Sequence, residues 1–234
     1  MQKSMIKLLS IADFISITNA IFGFLAIIFL LSNIIEDTEL RLRVSFSFIL
    51  LALLADGLDG IVARKTKRSD VGEHLDSMAD IVSMIVATSV FIFATYQENL
   101  ACCLHFQIFM FIALVLFLSF GTIRLASYYI MKNDNYFVGL PAPAGATILL
   151  LLAFFKVEFI YIFPAVIIIG AAMASSIKFP KPRKRMDFIA AILIFLTLII
   201  GKSYYGVVPL LLLTAILIYS IGGPIYSKFL AKRQ

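Results

Sequence analysis

Apolar residues in this 234-residue chain gather into eight long blocks, at positions 10–31, 44–63, 72–96, 104–129, 140–155, 160–177, 186–200 and 204–221. Most approach the ~20 residues a helix needs to cross a bilayer core. They lack the regular mixing of polar positions that marks a helix at a soluble surface. With 62% hydrophobic and 15% charged residues, the chain has too little polar surface to cover a water-soluble core, since ordinary sequence is about a quarter charged. The pattern predicts an all-α integral membrane protein of about eight transmembrane helices, organised as a single unit over residues 1–234. The fifth and seventh blocks are short for a span.

Placing the N-terminus inside and alternating the spans puts sixteen of the 20 lysines and arginines on the inner side; Arg41, Arg43, Lys156 and Lys202 fall outside. This bias predicts that both termini are cytoplasmic in a multi-pass protein of the cell membrane. The first block follows Lys3 and Lys7 as a signal peptide would, but it holds Asp13 and Asn19 and no small-residue cleavage site follows. It reads as a retained helix. The basic run at 181–185 reads as a loop facing anionic headgroups, so the net charge of +6 needs no nucleic-acid partner. Cys102 and Cys103 are adjacent and cannot staple distant segments.

Against this apolar background, the second block contains Asp56 and Asp59, and the third opens with Gly72, Asp76 and Asp80. An aspartate at membrane depth costs roughly 2.5–3.5 kcal/mol on insertion scales, and such residues face an interior cavity and a partner. Asp56, Asp59, Gly60 and Ala63 stand at i, i+3, i+4 and i+7, one face of a helix; Gly72, Asp76 and Asp80 stand at i, i+4 and i+8. A short basic turn joins the two helices as antiparallel neighbours. Their acidic faces are expected to converge near the cytoplasmic boundary.

Four close carboxylates stay ionised together only with a compensating cation. Oxygen ligands suit a hard divalent ion such as Mg²⁺ or Mn²⁺, either one ion or two with shared carboxylates. Gly60, Ala63 and Gly72 leave room for a phosphate-bearing ligand to approach the backbone, and Arg64 can pair with a phosphate oxygen. The helical spacing excludes an EF-hand loop. The competing structural reading, in which the aspartates cap helices or pair with Arg64 and Lys65, does not explain four on two converging faces.

The string Asp56-x2-Asp59-Gly60-x2-Ala63-Arg64-x7-Gly72-x3-Asp76-x3-Asp80 resembles the signature of the CDP-alcohol phosphatidyltransferases at all eight fixed positions. The resemblance implies a six-helix core, here about residues 10–177, with an additional C-terminal hairpin at about 186–222. It also implies a homodimer and two divalent cations on Asp56, Asp59, Asp76 and Asp80, with CMP as leaving group. Stretches 17–24, 75–80, 124–126 and 137–144 resemble the branch of the family whose acceptor is L-serine. An archaeol ether lipid stays open beside diacylglycerol as the lipid of the CDP-lipid donor, because the composition is rich in Ile, Lys and Phe.

On this reading Asp80 is both a metal ligand and the candidate catalytic base. Asn19 can bond the CDP-lipid, or else another helix backbone. Arg124 is the acceptor candidate, with snorkelling to headgroups as its structural alternative. Pro141 and Pro143 are expected to start the fifth helix. Glycerol phosphate and inositol phosphate are the alternative acceptors. A polyprenyl transferase would carry two separated Asp-rich motifs, and an ion-coupled transporter would carry inverted repeats with helices broken at midplane; neither pattern is visible here.

Overall fold

Each of the eight apolar blocks contains a helix in the computed structural model, which describes residues 9–63, 69, 71–101, 103–128, 130–131, 133, 136–182, 184–201 and 206–231. α1 (Ile11–Leu31) begins where the Ser10 backbone N–H donates to Asp13 Oδ2 at 2.6 Å, so the acidic residue of the first turn closes the helix start. α2 (Thr38–Ala63) starts six residues before the apolar block, because the Asp37 carboxylate accepts the Glu39 N–H at 2.9 Å and nucleates a turn there. The two helices pack side by side: Ser45 Oγ donates to the Ala26 carbonyl at 2.9 Å, and Phe29 stacks on Phe48 at 5.3 Å.

The third block is one long rod with a defect. α3 (Gly72–Asp80) runs into a π-helical turn (Ile81–Val86) and on into α4 (Ala87–Thr95). The Ala87 N–H reaches back five residues to the Val82 carbonyl, the mark of an inserted residue. The short α5 (Gln97–Ala101) then leads to α6 (Leu104–Ser127). α6 packs along α8 (Phe159–Met173), where Gly170 lets the backbones approach: a Cβ there would lie 3.3 Å from Phe117 Cα.

Between them, α7 (Ala142–Phe154) starts at Pro141 with Pro143 in its first turn, as expected. It spans 13 residues, and Leu149, Leu150 and Leu151 are all 0% exposed. Three successive positions point in three directions, so protein surrounds this helix. Phe46 of α2 stacks on its Phe154 at 4.2 Å. α9 (Lys184–Ile200) and α10 (Val207–Ala231) complete the bundle.

Among the described residues, four helical segments are long and apolar enough to cross a bilayer: Ile11–Leu31, Gly72–Thr95, Leu104–Ser127 and Val207–Ser227. Only 28% of the most apolar window of α1 and 22% of that of α6 is buried inside the protein. The rest, including Phe24, Phe109 and Val115, faces outward. A bundle with an apolar exterior over whole helices is built for lipid.

The molecule is mostly helical but not entirely so. Tyr136–Val138 (β1) and Lys178–Pro180 (β2) form an antiparallel ribbon, with Tyr136 opposite Pro180 and Val138 opposite Lys178. An all-helical reading missed it because three-residue strands carry no alternation to detect. Gly139, at φ +76°, turns the chain from β1 into α7. Its N–H donates to the Ile177 carbonyl at 2.8 Å, and a Cβ there would collide with the Met173 carbonyl.

Candidate active site

The sequence motif lies on two elements that leave and re-enter the bundle at the same end. Asp56 and Asp59 belong to the last two turns of α2, and Asp76 and Asp80 to α3, just before the π turn. Asp56, Asp76 and Asp80 each present a carboxylate oxygen, and the three oxygens lie within 4.8 Å of one another. Asp80 is buried and the other two are partly so. Three anionic groups at this spacing repel strongly unless a cation sits among them. Their all-oxygen donor set fits a divalent ion such as Mg²⁺ or Mn²⁺. Asp59 lies outside this trio. It is 3% exposed and its Oδ2 accepts a hydrogen bond from Ser16 Oγ of α1.

α1 therefore supplies a polar stripe to the site. Asp13, Ser16, Asn19 and Gly23 recur at helical spacing along its buried face. Asn19, 0% exposed, donates through Nδ2 to Asp80 Oδ1 at 3.1 Å. Gly23 meets the π turn so closely that a Cβ would overlap Ser83 Cα. At the start of α3, a Cβ on Gly72 would lie 2.5 Å from Asp13 Oδ1, so glycine makes room there for a second buried carboxylate. Sequence reasoning singled out Asn19 but passed over Asp13 and Ser16. Their signal was legible: polar residues three apart on one face of an otherwise apolar helix.

Gly60 and Ala63 lie in the closing turn of α2. Arg64, Lys132 and Cys102 lie outside the described residues. Arg124 stands in the last turn of α6 with its guanidinium carbon 5.2 Å from the Tyr128 ring centroid. Its Nε is buried without a hydrogen-bond partner among the described residues. Asp80 and Asp56 lie within electrostatic reach of the guanidinium, which ties it to the carboxylate trio. Arg124 also lines a cavity of about 110 Å³ with Ser127, Tyr136, Val138, Met173 and Ser175. The ribbon thus forms one wall of a cavity whose cation, among the described residues, is Arg124.

A helical bundle with an apolar exterior, a carboxylate trio able to hold a cation and an arginine-lined cavity has the parts of a membrane enzyme that acts on anionic substrates. The chain belongs to the CDP-alcohol phosphatidyltransferase family, which it matches over residues 9–178. It is 37% identical over 221 residues to a Methanocaldococcus jannaschii protein named CDP-diacylglycerol–serine O-phosphatidyltransferase, covering 93% of this chain and 94% of that one. A Bacillus subtilis protein of the same name is 32% identical over 180 residues, 73% of this chain and 89% of the relative. An archaetidylserine synthase of Methanothermobacter thermautotrophicus is 29% identical over 186 residues, 76% and 73% of the two chains.

Proposed function

We propose that this enzyme transfers the phosphatidyl group, or its archaeol counterpart, from a CDP-activated lipid to the hydroxyl of L-serine and releases CMP. The observation that carries this reading is the Asp56–Asp76–Asp80 trio beside Arg124, in a chain whose relatives at 37% and 32% identity are named for that reaction.

Asp56, Asp76 and Asp80, with Asp59 adjoining, would hold two divalent cations, Mg²⁺ or Mn²⁺, which would supply positive charge against the donor pyrophosphate and so ease the departure of CMP. Asp80 is the general base. Asn19 engages its Oδ1 and leaves Oδ2 to take the proton as the serine oxygen attacks the lipid-bearing phosphorus and the bond to CMP breaks. Asn19, fully buried, orients Asp80 through this bond, beside the CDP-lipid contact read from the sequence. Gly60, Ala63 and Gly72 border the path of the CDP-lipid, and Arg64 of the same motif pairs with a phosphate oxygen, as its place in the sequence suggests. Arg124 pairs with the serine carboxylate, and the hydrogen-bonding capacity left open at its buried Nε supports that role. A phosphorylated acceptor would call for further basic residues, and Arg124 is the basic residue that lines the cavity among the described residues.

The eight helices cross the membrane with both termini cytoplasmic, and the carboxylates lie at the cytoplasmic face where serine and CMP are soluble. The enzyme works as a homodimer. Purified protein in lipid nanodiscs, given CDP-diacylglycerol or CDP-archaeol with serine, glycerol 3-phosphate or inositol phosphate in turn, tests the reading by CMP release. Serine alone should support turnover, EDTA should stop it, and Mg²⁺ or Mn²⁺ should restore it. Faster turnover with a phosphorylated acceptor, or activity indifferent to EDTA, would overturn the assignment.

A further inference from the structure

The matched family region ends at residue 178, yet the wall of the Arg124 cavity depends on a helix well beyond it. α10 presents Tyr219, Gly223 and Ser227 at i, i+4 and i+8, on one face, and that face lies along β2. Tyr219 Oη donates to the Pro180 carbonyl at 3.1 Å, and its ring lies 6.3 Å from that of Phe179, which is 2% exposed. Ser227 Oγ lies 2.8 Å from the Lys178 carbonyl and 2.9 Å from the Pro224 carbonyl of its own helix, so its one proton is shared between the strand and the helix. Gly223 lets the helix approach: a Cβ there would lie 3.0 Å from Pro180 Cδ. All three residues of β2 are thus held by α10.

β2 in turn pairs with β1 over its whole length, and Tyr136, Phe137 and Val138 of β1 line the cavity beside Arg124. Just past the end of β1, Gly139 and Leu140 donate to the carbonyls of Ile177 and Ala172, at 2.8 and 3.0 Å, and so tie the ribbon to the chain between α8 and β2. Tyr219 is also within electrostatic reach of the Arg124 guanidinium. A three-residue ribbon has too few cross-strand bonds to hold its own position, so its placement is set by what grips its edges.

We propose that Tyr219 and Ser227 are positioning residues for acceptor binding: through the β2 backbone they set the distance between the ribbon and Arg124, and so the fit of the serine. This rests on the reading of the Arg124 cavity as the acceptor pocket. It gives the C-terminal helix a part in specificity. Tyr219 does not touch serine; it acts through the ribbon.

The test measures CMP release by the full-length protein in nanodiscs, with serine and CDP-diacylglycerol varied in turn, for Tyr219→Phe, Ser227→Ala, Ser227→Thr and Arg124→Ala. Loss of one net hydrogen bond corresponds to about 2- to 10-fold. Tyr219→Phe and Ser227→Ala should each raise half-saturating serine by about that factor, with the CDP-diacylglycerol value unchanged. Ser227→Thr, which keeps the hydroxyl, should behave as the parent. Equal rises for both substrates, or no serine effect in either Tyr219→Phe or Ser227→Ala while Arg124→Ala raises the serine requirement, would overturn the positioning role alone. No serine effect in Arg124→Ala would remove the acceptor pocket itself, and the inference with it.

Discussion

Asn19 of α1 donates its side-chain amide to Asp80 Oδ1 at 3.1 Å, joining two fully or nearly buried residues 61 positions apart. This bond connects a helix outside the acidic motif to the carboxylate proposed to do the chemistry. A carboxylate that must both face a cation and accept a proton needs its orientation held, and a neighbouring amide does this without adding charge.

Asn19→Ala should therefore lower turnover by about 10- to 100-fold, the range seen when a group supporting a metal ligand is lost. The protein should still fold and insert. The check is a Mg²⁺ titration of CMP release alongside a thermal melt: the metal requirement should rise while the melting temperature changes little. Unchanged metal dependence would detach Asn19 from the site.

Asp76→Asn should abolish CMP release, because it takes the negative charge from one of the three carboxylates whose oxygens lie within 4.8 Å of one another. Ser16→Ala acts one step away, through Asp59, and should weaken metal-dependent activity by about tenfold instead of abolishing it. The ranking is the test. Parental turnover in Asp76→Asn would remove the trio from catalysis, and a Ser16→Ala defect as deep as that of Asp76→Asn would place Asp59 on a par with it.

Gly23→Ala should injure the site from a distance. The new methyl group would overlap the Ser83 backbone in the π turn, which cannot rotate away as a side chain could. Overpacking of this kind costs about 1–3 kcal/mol. Gly23 lies one turn beyond Asn19, so relief by moving α1 away from the π turn also draws Asn19 from Asp80. Activity in detergent should fall at temperatures well below the melting transition, and the half-saturating Mg²⁺ should rise as in Asn19→Ala. A loss of stability with parental metal dependence would show that the contact is only packing.

Much of the site was readable before any fold was known. The helical spacing of Asp56, Asp59, Gly60 and Ala63, and of Gly72, Asp76 and Asp80, specifies two acidic faces, and a short link makes them neighbours. Which carboxylates draw together was not readable. Asp56, Asp76 and Asp80 form the trio while Asp59 turns to Ser16, and that division depends on where α1 packs against both helices.

The sequence by itself determined the apolar helices, their approximate bounds and the acidic motif, because each is written in a local period or in the cost of charge among apolar residues. Tertiary structure alone decided that α1 holds Asp59 and Asp80, that a π turn follows Asp80, and that α10 grips β2 beside Arg124. The hydrogen bonds among them join residues 39 to 61 positions apart, and the π turn is a one-residue insertion within a helix. No periodicity records such pairings; they arise only when buried polar groups on separate helices must find partners inside one bundle.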